Sequence, residues 1–145
     1  MELNQERYSR QIRLDEIGID GQKKLSNASV LVVGAGGLGC PIIQYLVAAG
    51  VGRIRITDGD LVSESNLHRQ ILFGIGDVGQ PKVEVARRWV LNHNSDLTVE
   101  PIEAYISTDN VFALLDGMDV VVDGSDNFST KYLLNDACEI SQTPL

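Results

Sequence analysis

The segment Gly34-Ala35-Gly36-Gly37-Leu38-Gly39 constrains the fold more than any other stretch of this chain. It follows a short apolar run, Ser29-Val30-Leu31-Val32-Val33. It opens a stretch in which Leu38, Ile42, Tyr45, Leu46 and Ala49 recur every three or four residues. An unbroken β-branched run ending in glycine reads as a strand covered on both faces. The recurrence reads as a helix, with Pro41 in its first turn and Gly50 at its end. A strand, a G-x-G-x-x-G turn and a helix in that order suit a nucleotide phosphate. The glycines permit a tight turn and close approach of backbone to ligand, and the helix N-terminus offers unpaired N–H groups to an anion. A glycine turn that serves packing alone is the competing reading.

The rest of the chain continues the alternation. Residues 53–57, 97–102 and 119–123 read as strands, and Pro101 places the second of these near a sheet edge. Residues 81–92, 110–115 and 128–141 read as helices. Val83, Ala86, Trp89 and Val90 form the expected inner face of the first, and Phe128, Tyr132, Leu134 and Cys138 that of the last. Residues 59–79 read as loop with a short helix at 65–72. In residues 1–27, Leu14, Ile17 and Leu25 fall near helical spacing, with Gly18 and Gly21 as interruptions. The expected fold is therefore α/β, a doubly wound, mainly parallel sheet with N-terminal helices. It divides into a helical segment, 1–27, and a nucleotide-binding domain, 28–145. Thr143-Pro144-Leu145 reads as the threshold of a fifth strand, so the chain is expected to be part of a longer domain.

Composition narrows the partners. Twelve Lys and Arg against twenty Asp and Glu give a net charge of −8, a poor basis for binding nucleic acid or an anionic membrane. No apolar stretch approaches the roughly 18 residues of a membrane span. The start, Met1-Glu2-Leu3-Asn4-Gln5-Glu6, lacks the apolar core of a secretory signal. Two cysteines, Cys40 and Cys138, suit a reducing cytoplasm and read as packing residues.

Several side chains carry chemistry. Asp58 ends the second strand, nineteen residues after Gly39, where a carboxylate can accept both ribose hydroxyls. Asp60 follows and reads as a turn acid. Ser65-Asn66-Leu67-His68-Arg69-Gln70 supplies a cation and an amide, and Lys82 begins the next helix. Asp126-Asn127 lies just past the fourth strand, at the carboxyl edge where such folds bind ligands. Alternatively, Asn66 could cap the short helix and Asp126 the helix at Phe128, Arg10 and Lys82 could be solvated surface cations, and Arg69 could pair with a surface acid. Two cations, a carboxylate and an amide exceed what a dinucleotide needs. They suit a triphosphate attacked at its α-phosphorus, and no G-x-x-x-x-G-K-[ST] loop is present. A nicotinamide-binding oxidoreductase module and a catalytically idle, partner-binding fragment remain as alternatives.

The ordered set Arg7-Tyr8-Ser9-Arg10-Gln11, the glycine loop, Asp58-Gly59-Asp60, Ser65 to Gln70, Gly79-Gln80-Pro81-Lys82 and Gly124-Ser125-Asp126-Asn127 resembles the ThiF/MoeB/HesA branch of the ubiquitin-activating-enzyme superfamily. The resemblance implies a Rossmann-like adenylation domain. It would use ATP and Mg²⁺ to adenylate the C-terminal glycine of a ubiquitin-like sulfur-carrier protein ending in Gly-Gly, of ThiS or MoaD type, with release of pyrophosphate. Gly34, Gly36, Gly37 and Gly39 would line the phosphates, and Asp58 would bind ribose. Ser65, Asn66, Arg69 and Lys82 would border the phosphate chain. Asp126 would ligate Mg²⁺, with Asn127 beside it. Arg10 would reach the active site of a second subunit in a cytoplasmic homodimer. Family members carry C-x-x-C zinc ligands, which here would lie beyond residue 145.

Overall fold

The computed structural model describes residues 3–145. Met1 and Glu2, the first two residues of the expected helical segment, lie outside them. Two helices come first, α1 (Ser9–Ile12) and α2 (Gly18–Asn27). There follow β1 (Ser29–Val33), α3 (Gly39–Ala49), β2 (Arg53–Thr57), α4 (Lys82–His93), β3 (Thr98–Ile102), α5 (Val111–Leu115), β4 (Val120–Asp123) and α6 (Phe128–Ser141). The four strands form one parallel sheet in the order β3-β2-β1-β4. The chain thus winds outward from β1 through β2 to β3, then crosses back to place β4 on the other side of β1. Ligands of open α/β sheets bind at the carboxyl ends of the strands where the winding reverses. Here Val33 lies level with Thr57 on one side and Asp123 on the other. The residues that follow, Gly34, Asp58 and Gly124, therefore leave the sheet side by side.

Alternation along β1 builds both layers of core. Val30 and Val32 face one cluster with Ile43, Val47, Ile54, Ile56, Val83 and Val90. Leu31 and Val33 face another with Val111, Leu115, Val121, Leu134 and Cys138. Burying each such aliphatic side chain contributes roughly 1.5–3 kcal/mol, so the two-sided run of β1 is the centre of the fold. Pro101 sits on the edge strand β3, as expected.

The buried faces of two helices are not wholly those of the apolar residues that mark them in the sequence. In α3, Cys40, Ile43 and Val47 point into the core, whereas Leu38 and Tyr45 are 56% and 76% exposed. This helix is apolar around most of its circumference, so periodicity alone does not select the buried face. In α6, Leu134, Ala137 and Cys138 are buried, while Phe128 and Tyr132 are 78% and 69% exposed. Trp89 is half-buried, stacked on His93 with ring centroids 4.4 Å apart. No α-helix occupies 65–72; a single 3-10 turn at Glu64–Asn66 stands there instead, and a second lies at Ile75–Asp77. Gly21 does not interrupt α2 but lies within it.

The N-terminal helices are tied to the sheet domain by buried polar groups. Asn94 Nδ2 donates to the hydroxyl of buried Tyr8 at 2.9 Å. The side-chain amides of Gln11 and fully buried Gln22 both donate to the Ala49 carbonyl, at 2.9 and 3.0 Å. At the other end, Val121 N–H donates to the Pro144 carbonyl at 2.9 Å. That bond brings residue 144 beside β4, but residues 143–145 form no strand.

Candidate active site

A cavity of about 480 Å³ opens at the carboxyl edge of the sheet. Its size suits a nucleotide-scale ligand. The glycine loop forms one wall. Gly34 takes a φ of +91° and donates its N–H to the Thr57 carbonyl at 2.8 Å, which turns the chain sharply off β1. A Cβ on Gly39 would overlap the Gly34 carbonyl oxygen, so the start of α3 can approach the loop only as glycine. Gly39 does not line the cavity; Gly34, Gly36 and Gly37 do. Among the described residues, the N–H groups of Gly36, Gly37 and Leu38 have no partner. They stand at the N-terminus of α3, where an anion is favoured.

Asp58 stiffens this wall. Its Oδ2 accepts from Ala35 N–H at 2.7 Å and its Oδ1 from Asp60 N–H at 2.8 Å. A carboxylate has about four lone-pair directions, so acceptor capacity remains for hydroxyl donors in the cavity. Cys40 Sγ packs against the Ala35 carbonyl at 3.4 Å, and burial pushes its thiol pKa up. Cys40 is thus a packing residue, not an activated nucleophile. Burial raises the pKa of Cys138 as well.

The opposite wall comes from the irregular segment after β2. Asn66 Oδ1 accepts from Gln70 Nε2 at 2.8 Å and from Arg69 Nη2 at 3.3 Å. The aliphatic stem of Arg69 runs along Gly37. Ser65 does not line the cavity; its hydroxyl accepts from Asn66 Nδ2 at 3.1 Å and so orients that amide. Residues 61 and 81 form an antiparallel bridge, with Val62 N–H donating to the Gln80 carbonyl at 2.8 Å. That contact delivers Lys82 to the cavity, where its Nζ lies 2.7 Å from Asp60 Oδ2.

The third side is the turn after β4. Asp123 accepts from Ser125 N–H and from Lys131 Nζ, each at 2.8 Å, which shapes the turn. Burial alone would raise the Asp123 pKa, but these hydrogen bonds outweigh it and the carboxyl sits below its ordinary range. Asp126 and Asn127 follow on the cavity wall, both exposed. Asn127, not Asp126, caps α6, its Oδ1 accepting from Thr130 N–H at 2.8 Å.

Arg69, Lys82, Asp126, Asn66, Asp58 and Asn127 are thus brought around one cavity. Arg10 is not; it is exposed on α1 and lies off the cavity wall. Sequence reasoning gave no site role to several polar wall residues, among them Asp60, Gln70, Tyr105 and Ser125. Asp60 is more than a turn acid: besides the Lys82 ammonium it accepts a hydrogen bond from the Tyr105 hydroxyl. Gln70 and Ser125 also stand on the cavity wall, with Gln70 Oε1 buried and without a partner among the described residues. The paired aspartates of Asp58-Gly59-Asp60 were the one available signal for Asp60. For Tyr105 no local pattern existed.

Residues 8–145 match the model of the ThiF family. The chain is 52% identical over 140 residues to the SAMP-activating enzyme E1 of Haloferax volcanii, covering 97% of this chain and 52% of that protein. It is 49% identical to the sulfur carrier protein adenylyltransferase of Thermus thermophilus, with the same coverage. The chain therefore spans about half the length of these curated relatives. Among solved structures, the E. coli tRNA N6-threonylcarbamoyladenosine dehydratase TcdA in complex with ATP superposes with a TM-score of 0.91 at 29% identity, covering 97% of this chain and 58% of that one. E. coli MccB with ATP superposes at 0.85 and 32% identity, over 97% of this chain and 43% of that one.

Proposed function

The chain belongs to the ThiF family, and from that premise we propose that it forms the ATP-binding half of a cytoplasmic adenylyltransferase. Its substrate would be the C-terminal glycine carboxylate of a ubiquitin-like sulfur-carrier protein ending in Gly-Gly. The observation that carries this reading is the convergence of Arg69, Lys82 and Asp126 on the mouth of the glycine loop. Relatives named as activating enzymes and sulfur-carrier adenylyltransferases, and structural neighbours with bound ATP, support it.

The carrier's own carboxylate oxygen attacks the α-phosphorus, forming an acyl–phosphate bond while the bond to the β-phosphate oxygen breaks and pyrophosphate leaves. No nucleophile is required of the protein. Its part is alignment and the offset of charge that builds on the phosphorus and the leaving group. The free N–H groups of Gly36 and Gly37 receive phosphate oxygens, and Asp58 receives the ribose hydroxyls. Asn66, Arg69 and Lys82 border the phosphate chain.

Asp126 is an exposed carboxylate on the cavity wall, and no cluster of three metal-ligating side chains exists among the described residues. A single carboxylate fits Mg²⁺, which binds through one or two carboxylates together with substrate phosphates. When bound, the ion would neutralise phosphate charge as pyrophosphate departs. Arg10, exposed and off this cavity, would serve the site of a second copy in a homodimer.

ATP–pyrophosphate exchange by the intact protein tests the proposal. Exchange should require a carrier ending in Gly-Gly and cease with a carrier lacking those residues. Carrier-independent behaviour, or stabilisation by NAD in place of Mg-ATP, would overturn it.

A further inference from the structure

Asp60 places a carboxylate on the wall of a cavity that, on the reading above, receives a triphosphate. An acid there opposes ground-state binding of an anion, so its presence calls for an opposing benefit. Its partners indicate one. The Lys82 side chain is 5% exposed, and its Nζ contacts Asp60 Oδ2 at 2.7 Å. The Lys82 backbone N–H also donates to the Asp60 carbonyl at 3.0 Å, so the two residues are joined at main chain and side chain alike. The second oxygen, Oδ1, accepts from the Tyr105 hydroxyl. Tyr105 is itself braced: its ring lies against Gly59, and its carbonyl accepts from Asn110 Nδ2 at 2.9 Å. A lysine ammonium is a point charge on a flexible stem and does not hold a direction by itself.

We propose that Asp60 and Tyr105 are positioning residues for Lys82. Tyr105 fixes the Asp60 carboxylate, and the carboxylate holds the buried ammonium extended at the cavity wall. The phosphate chain then meets a cation already in place. The proposal rests on the adenylyl-transfer reading only for the identity of the ligand.

Two readouts on the intact protein test it. In exchange kinetics, Asp60→Asn should lower kcat by up to about a hundredfold, the scale of a group misplaced by about 1 Å, with ATP affinity unchanged or tighter because a negative charge has left the wall. Tyr105→Phe should lower kcat less, with ATP affinity unchanged. A merely structural role would instead weaken ATP binding and lower the melting temperature together. In the unliganded protein, the ¹H–¹⁵N resonance of the Lys82 ammonium should be protected from exchange, lost in Asp60→Asn and weakened in Tyr105→Phe. Wild-type kcat in Asp60→Asn, weakened ATP binding coupled to destabilisation, or an unchanged ammonium resonance would overturn the proposal. Absence of exchange in the wild-type protein would overturn the adenylyl-transfer reading alone, and the resonance would still decide the positioning role.

Discussion

The two walls of the cavity are built by different means. The glycine-loop wall is made of backbone and buried side chains: Ala35 and Cys40 are fully buried, and Asp58 nearly so, with both carboxylate oxygens engaged by the main chain. The facing wall and the turn after β4 present most of their side chains on irregular segments, where Arg69, Asp126 and Asn127 are all exposed; Lys82, at the start of α4, is the buried exception. The difference teaches where binding and folding are coupled. On the first wall the ligand site and the sheet packing share atoms. On the second, the charges of Arg69 and Asp126 can be removed without opening the core, whereas that of buried Lys82 cannot.

Paired substitutions should break that contrast most visibly. Arg69→Ala or Asp126→Ala should remove about 2–4 kcal/mol of transition-state stabilisation, by analogy with a lost oxyanion-hole donor, and abolish measurable exchange. Thermal unfolding should be unchanged, since both side chains are exposed. Gly39→Ala should do the reverse in order of cause. The added methyl meets the Gly34 carbonyl, overpacking costs about 1–3 kcal/mol or more, and activity falls because the fold is weakened. An active, fully stable Gly39→Ala protein would show that the loop has room the geometry denies.

Asp58→Asn sits between these extremes and sharpens the comparison. It replaces one accepting oxygen by an amide that cannot accept, so either Ala35 N–H or Asp60 N–H loses its partner. The expected loss is about 1–3 kcal/mol of stability, together with weaker ATP binding. Calorimetric unfolding and ATP titration on the same sample check both halves. Loss of affinity at full stability would place Asp58 with the exposed wall.

The smallest effect concerns pH. Glu100 joins β2 and β3 through Arg55 Nε at 2.7 Å and Arg53 Nη2 at 2.6 Å. Burial alone would raise its pKa, but the two arginines outweigh that and hold it below the ordinary carboxylate range. At Asp60 the leading cause of a lowered pKa is the hydrogen bond from Lys82, with Tyr105 next. For both, the folded value lies below the unfolded one. Their stabilisation is therefore complete above the unfolded carboxylate pKa and is lost as pH falls through the folded value. Glu100→Gln should reduce the acid sensitivity of the urea midpoint by less than about 1 kcal/mol, because the pair is partly solvated. An unaltered midpoint-versus-pH curve would show that the pair contributes nothing.

Much of the fold was legible because its signals are local. β1 is a continuous apolar run ended by a glycine that the turn requires, and Pro101 can occupy only an edge. The extents of β2 and α6 agree with the pattern of apolar and turn residues. The inner face of α6 was half misread, because Leu134 and Cys138 are buried but the helix turns the aromatic Phe128 and Tyr132 outward. Hydrophobicity says that a residue can be buried; only the neighbouring layer says whether it is. At the site, the cations and acids were identifiable by type and order. The partnership of Asp60 with Lys82 was not, because it depends on the bridge between residues 61 and 81 within a segment that has no regular period.

The sequence by itself determined the alternation of strands and helices, the phosphate turn and the chemical types at its rim. Those follow from backbone preferences and side-chain chemistry acting over a few residues. Tertiary structure alone decided which helix faces are buried, that Tyr105 braces Asp60, and that Lys82 is aimed and desolvated. Such outcomes arise from contacts between segments distant along the chain, whose geometry is set by the level strand ends of the sheet and by nothing local to the residues involved.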